Sequence, residues 1–343
     1  MQLRHAPLLF LMPLMIGACS IAPDVTIEDA ETAIAQNRFR DARDALLALR
    51  EHGDRSSERS MLLARVIIEL GDGYTAERYL SEVEDTKKNS ADWITSKAHA
   101  LILQGRSRTA RELVENFAGP QTPSEDHLHL LVWAAMEEGE ISDARDLVFT
   151  ALSNYPRSTN LHAKAGRLSA WSGDWARAGF HIDQALIVDP THYESLLIQG
   201  EKHIADGDLA SALETYETAV KAHPDFAVPR ANMVGLLLDL GDLEKGETEL
   251  EKALNLHPDF TLLRFNAARL QAMKRNWAKT RDMLQGLPLD WKRSFPAATL
   301  LEAETEIALG NRAIAQTLLM QLADDPRFSD QVAEILQRDP FNN

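Results

Sequence analysis

A chain of 343 residues with 52 acidic against 36 basic side chains, a net charge of -16, lacks the clustered cations that nucleic-acid backbones and anionic membrane surfaces require. Its single cysteine, Cys19, excludes an internal disulfide framework and a cysteine-based metal site, so packing alone must carry stability. The length exceeds a usual single-core domain, yet no Gly-, Pro- or Ser-rich linker divides the chain. The densest break is Gly119-Pro120-Gln121-Thr122-Pro123.

The first element is a targeting segment. Residues 1–5 carry Arg4, residues 6–16 are almost wholly apolar, and Ile16-Gly17-Ala18-Cys19 follows, the pattern of a cleaved export signal. The run is far shorter than the roughly 20 apolar residues that span a bilayer. An ordinary secretory cut after Ala18 would place Ile16 where a small residue is wanted. The segment instead resembles the lipobox of bacterial lipoproteins, where an aliphatic residue is accepted at that place. This resemblance implies a signal peptide over 1–18, a lipidated Cys19 with a diacylglyceryl thioether and an acylated amino group, and a short tether over 19–25. Because Ser20 and not aspartate follows the cysteine, it also implies the outer membrane, facing the periplasm. Several acyl chains on one residue would exceed the two hydrophobic signals that stable anchoring needs.

A repeat occupies residues 26–329. Gly71, Gly105, Gly139, Gly173, Gly207 and Gly241 stand 34 residues apart without an insertion, as do Pro156, Pro190, Pro224 and Pro258. Small residues fall at place eight of each unit (Ala30, Ala64, Ala98, Gly166, Gly200, Ala268) and at place twenty (Ala42, Ala76, Ala110, Ala144, Ala178, Ala212), where two helices can approach closely. Larger residues at place 24, among them Leu46, Leu80, Ile182 and Tyr216, fill the seam. Each glycine can end a first helix in the left-handed conformation. The following Asp72, Asp174, Asp208 or Asp242 can then cap the next helix, and proline forbids its continuation. Nothing alternates as a strand would.

Gly200, Ala212, Tyr216, Ala219 and Pro224 together resemble the tetratricopeptide repeat family. The resemblance implies an all-α, right-handed α-solenoid of about nine helix-turn-helix units, starting at residues 23, 57, 91, 125, 159, 193, 227, 261 and 296. Three departures stand out: Asn37 and Arg275 where glycine is expected, and Gly310 displaced by one residue. Residues 330–343 are expected to form a capping helix and tail. Ser329 would be its cap, with Val332, Ile335 and Leu336 covering the last repeat and Gln331, Glu334 and Gln337 in water.

The chain has no G-x-S-x-G, H-E-x-x-H or phosphate-loop motif, so no catalytic residue, metal site or cofactor is assigned. His127 and His129 diverge on one predicted helix, while His162, His181, His192, His203, His223 and His257 read as solvated or turn residues. Glu244, Glu247, Glu249 and Glu251 read as a solvated face. By the family resemblance, places 2, 5, 9, 12 and 13 line a concave groove. The groove candidates are His99, His129, Trp133, Arg167, Trp171, Glu201, Phe265 and Arg269, accompanied by Met136, Leu197 and Met273. Exposed tryptophan and arginine are typical interface anchors. Asn232 and Asn266 occupy place six, where some relatives hold a peptide carboxylate, but the companion lysines are missing.

These readings converge on a membrane-tethered periplasmic scaffold that binds a protein or peptide partner in its groove and no nucleic acid. Lipoproteins of similar layout serve pilus assembly, secretion or exopolysaccharide export. The alternatives are a glycan-binding component using Trp133 and Trp171, or an adaptor recruiting cell-wall hydrolases.

Overall fold

The computed structural model describes residues 25–118, 123–323, 325 and 328–337. Nine antiparallel helix pairs follow one another: α1 Ile27–Ala35 with α2 Phe39–Glu51, α3 Ser57–Glu69 with α4 Gly73–Ser81, α5 Ala91–Leu103 with α6 Ser107–Ala118, α7 Glu125–Glu137 with α8 Ile141–Asn154, and α9 Thr159–Trp171 with α10 Trp175–Val188. The series continues with α11 Tyr193–Ala205 and α12 Leu209–Ala222, α13 Ala227–Asp239 and α14 Leu243–Leu256, α15 Thr261–Met273 and α16 Trp277–Gln285. A short α17, Leu289–Ser294, precedes the last pair, α18 Pro296–Ala308 and α19 Arg312–Leu322, and α20 Ser329–Gln337 closes the series. No strand occurs among the described residues, and the architecture is an all-α solenoid.

The turn chemistry accounts for the punctuation. The six glycines of the ladder have φ between +72° and +84°, the left-handed region that ends a helix without steric cost only when no Cβ is present. Asn37 (φ +55°) and Arg275 (φ +60°) adopt the same conformation, so the irregular units keep the turn and change only its residue. Asp72, Asp174, Asp208 and Asp242 accept from the backbone N–H of Thr75, Arg177, Ser211 and Lys245 at 2.9–3.1 Å, satisfying an amide that the next helix leaves free.

Packing follows the same register. Ala42, Ala76, Ala144, Ala178 and Ala212 are wholly buried beneath Leu46, Leu80, Val148, Ile182 and Tyr216. At Gly200 a β-carbon would overlap the Tyr216 ring of the paired helix, so only glycine lets α11 and α12 approach this closely. Cores between adjacent pairs succeed one another along the array, each built from neighbouring units.

Several expectations need correction. The eighth unit gains α17, whose Trp291 packs with Phe295 over Phe265. The C-terminal helix starts at Ser329 itself instead of after it. Val332 is buried against Leu300, Leu319 and Leu322 and Ile335 is half-buried, but Leu336 stays exposed. His162 and His181 are buried within helices, neither solvated nor in turns, while His223 keeps its turn place at the end of α12 but is buried there. His162 Nε2 donates to the Pro156 carbonyl, which leaves its Nδ1 to accept from His181 Nδ1 at 3.0 Å. The signal over 1–18, Cys19, the tether through residue 24, the break at 119–122 and the tail at 338–343 lie outside the described residues.

The array also touches itself. The α1–α2 turn and the first residues of α2 sit on the ends of α12 and α14 and the loops that follow them. Asn37 Nδ2 donates to the Ala222 carbonyl (3.2 Å), the Arg40 backbone N–H to Asp225 Oδ2 (2.9 Å) and the Arg40 guanidinium to the Leu256 carbonyl (2.7 Å). Phe39 stacks on Phe226 with ring centroids 5.6 Å apart. Small rotations between successive pairs have accumulated into one turn, and the edge of the first unit meets the opposite edge of the sixth and seventh.

Candidate functional site

First helices of successive pairs line the concave face, and its middle is built around Trp133 on α7. His99 on α5 meets the indole edge-to-face at 4.8 Å, and Lys164 on α9 places its ammonium 4.9 Å from the ring centroid. The indole N–H donates to Glu137 (3.1 Å). Lys164 occupies place six, where other units carry Leu62, Leu130 or Ile198, and its aliphatic stem is buried in their stead. Its ammonium reaches Glu194 Oε2 on α11 at 2.8 Å.

Two further ion pairs continue the face. Arg167 donates to Glu201 at 2.5 Å, and Arg269 pairs with Asp239. His192 Nε2 donates to Asn160 Oδ1 (3.1 Å), while its Nδ1 accepts from Ser195 at the start of α11. Thus every cation named for the groove is already matched by an acid one unit along.

Enclosure shapes the electrostatics. Burial, with Lys164 adding repulsion, lowers His99 to about 4. His129 is pushed well below its ordinary value by burial first and then by Lys164, His99 and His192. Burial would raise Glu194, but Lys164, Arg167 and His192 outweigh it and hold the carboxyl low. Near neutral pH this region therefore presents neutral imidazoles between compensated ion pairs. It suits polar and apolar contacts more than capture of a bare ion.

The expected groove residues divide. His99, His129, Trp133, Arg167 and Glu201 come together, and Trp171 projects freely at 56% exposure. Phe265 does not belong to the surface: it is buried beneath Trp291 of α17 and Phe295. Met136 and Leu197 are core residues too. Asn266 spends its amide on the Ala231 carbonyl (2.8 Å), so it is not free to clamp a carboxylate. Nor do Trp133 and Trp171 form a paired stacking platform, since His99 and Lys164 already occupy Trp133.

Residues absent from the expected set lie nearer the start. A cavity of about 320 Å³ is lined by Glu31 of the first unit, Glu58, Met61, Leu62 and Arg65 of the second and Asp92 of the third. These are places nine, two, five, six, nine and two, so the spacing that selected the middle of the groove would have found most of them. Among the described residues, no cluster of three or more His, Cys, Asp or Glu could hold a metal ion, and no helix is long and apolar enough to cross a membrane.

Two tetratricopeptide repeat family models match residues 164–225 and 203–272, the segment whose glycines, alanines and capping aspartates were just described. Residues 164–272 carry tetratricopeptide repeats. Similar solved structures include a tetratricopeptide repeat protein from Parabacteroides merdae, 16% identical, covering 71% of this chain and 96% of that one, with a TM-score of 0.51. The APC/C hetero-tetramer Cut9-Hcn1 is 14% identical, covering 86% of this chain and 65% of that one, with a TM-score of 0.61. The human IFIT1 dimer is 15% identical, covering 87% and 82%, with a TM-score of 0.54. At such identities the likeness concerns the fold. A curated relative, the probable biofilm formation methyltransferase WspC of Pseudomonas putida, is 36% identical over 84 residues, which is 24% of this chain. The match spans only 20% of that protein's length, and no activity passes with it.

Proposed function

We propose that this tetratricopeptide repeat protein is a lipid-anchored periplasmic scaffold, without catalytic activity of its own, that holds a protein partner on its concave face while an envelope machine is assembled. The repeat fold recognises proteins through extended surfaces, which supports the scaffold role. The observation that carries the site is Trp171: a large aromatic at 56% exposure on α9, the helix that also supplies Lys164 to the Trp133–Lys164–Glu194 cluster. Anchoring and address rest on the pattern ending in Cys19, and the acidic charge argues for a partner with basic patches. Pilus assembly, secretion and exopolysaccharide export are machines of this kind.

The experiment is crosslinking in cells from a photoreactive residue at position 171, followed by mass spectrometry and by co-purification with Trp171→Ala. One dominant adduct, to a protein that no longer co-purifies with the alanine variant at unchanged Tm, is the expected result. Adducts only from convex positions would move the site, and Cys19→Ser protein that still fractionates with membranes would refute the anchor.

A further inference from the structure

The contact between the first unit and the sixth and seventh differs in kind from every other junction in the solenoid. Neighbouring pairs share buried cores. This junction joins residues 185 or more positions apart and consists of one stacked ring pair and a few polar contacts. Asn37 holds the left-handed turn that glycine holds in most other units, and it uses its amide, which glycine lacks, to reach the Ala222 carbonyl. Arg40 is the hub. Its backbone N–H and guanidinium face Asp225, and the guanidinium also donates to the Leu256 carbonyl and to His257 Nδ1 at 3.0 Å. Phe39 and Phe226 complete the seal.

The junction matters because of where it lies. Partners reach the inner face of an open solenoid from the side, between successive turns. Here the opposing edges touch, so at this point the inner face is walled off laterally. Partial enclosure agrees with the half-buried His129 on the concave face, which burial drives well down.

We propose that the first unit is a releasable clasp. Seated, it restricts the concave face to slender segments arriving end-on; lifted, it admits bulkier partners from the side. This concerns access to the surface assigned above, and its test needs no partner, so either reading can fail alone.

The test introduces one thiol inside, Thr95→Cys on α5, and one outside, Glu112→Cys on α6, each in full-length Cys19→Ser protein. N-ethylmaleimide and a maleimide carrying a long polyethylene glycol chain report small and bulky access. With the clasp intact, the small reagent should label both sites at similar rates. The bulky one should label Thr95→Cys about tenfold more slowly than Glu112→Cys, reflecting a minor open population. Adding Phe39→Ala with Arg40→Ala should raise the slow rate to that of the outside site, and Asp225→Ala with Phe226→Ala should do the same from the other edge, with helical circular dichroism retained in each. Equal bulky labelling of both sites with the clasp intact would overturn the proposal. So would a slow rate that neither pair of substitutions relieves.

Discussion

Lys164→Met removes one charge from the centre of the concave face and keeps most of the side-chain volume. The ammonium lies 2.8 Å from the Glu194 carboxylate, and both side chains are largely shielded from water. At an effective dielectric constant of about 20 the attraction over that distance is about 6 kcal/mol. Desolvation offsets most of it, leaving a coupling of about 1–3 kcal/mol. Stacking on Trp133 adds about 0.5–1 kcal/mol. Methionine in place of lysine leaves Glu194 enclosed without its hydrogen-bonded partner, with only Arg167 and His192 to oppose burial, and the expected loss near neutral pH is about 2–4 kcal/mol. The sign with pH is fixed. In the native protein Glu194 is held below its ordinary value, so its stabilisation is present above about 4.5 and is lost as pH falls through the lowered value. In the variant burial raises the carboxyl, protonation relieves the penalty, and the deficit should narrow on acidification. Urea unfolding at about pH 7.5 and about pH 5, with Glu194→Gln and the double variant completing a cycle, measures it. His99 and His129, both repelled by Lys164, should titrate higher by NMR in the variant. A deficit that is the same at both pH values, with unmoved histidines, would refute the ion-pair argument.

Gly200→Ala should cost about 1–3 kcal/mol in urea unfolding, because the new methyl meets the wholly buried Tyr216 ring, whereas Gly207→Ala, which meets open space, should cost about 1 kcal/mol from backbone strain alone. A reversed order would count against the packing account. Exposed Arg275→Gly relieves a left-handed arginine and should stabilise by about 0.5 kcal/mol, while Asn37→Gly should bring no gain, since it sacrifices the bond to Ala222; equal effects in thermal unfolding would contradict this. Burial, joined by neighbouring cations, lowers His99 (facing Lys164), His181 (facing His162 and Arg177) and His257 (facing Arg40 and Arg230, opposed by Asp225) to about 4 from 6.5. The unfolded chain then binds protons first, so stability should hold above about pH 6.5 and fall towards about pH 4; a urea midpoint that is flat across that window would exclude the assignment.

The repeat was legible because its requirements are local. A left-handed turn, a capping aspartate and a small residue at a close approach each select residue types at fixed places, and even the irregular Asn37 and Arg275 announced the turns they form. Groove residues were legible only in part. Place five selected Phe265 correctly as a first-helix residue, but that place is core at Ala163, Leu197 and Ala231 as well, and here α17, a six-residue helix too short to leave a periodic signal, adds Trp291 over it. Lys164 could have been noticed as a cation at place six, which the flanking units fill with Leu130 and Ile198. That Arg167 and Arg269 would be matched by acids one unit away was also open to view, because neighbouring first helices lie side by side. Contact between Asn37 and Ala222 was not, since it depends on small rotations summed over five junctions, and no single unit encodes that sum.

That contact also changes how such a chain should fold. A linear array loses its end repeats first, because each end has one neighbour instead of two. Here the first unit has a second neighbour far along the chain, so its fraying is coupled to the loops after α12 and α14. Closing a loop of that length is slow and is expected to follow the local pairing of helices. The amino-terminal end should then exchange its amide hydrogens more slowly than the carboxy-terminal end. A one-dimensional stack has acquired a non-local junction, and its two ends are no longer equivalent.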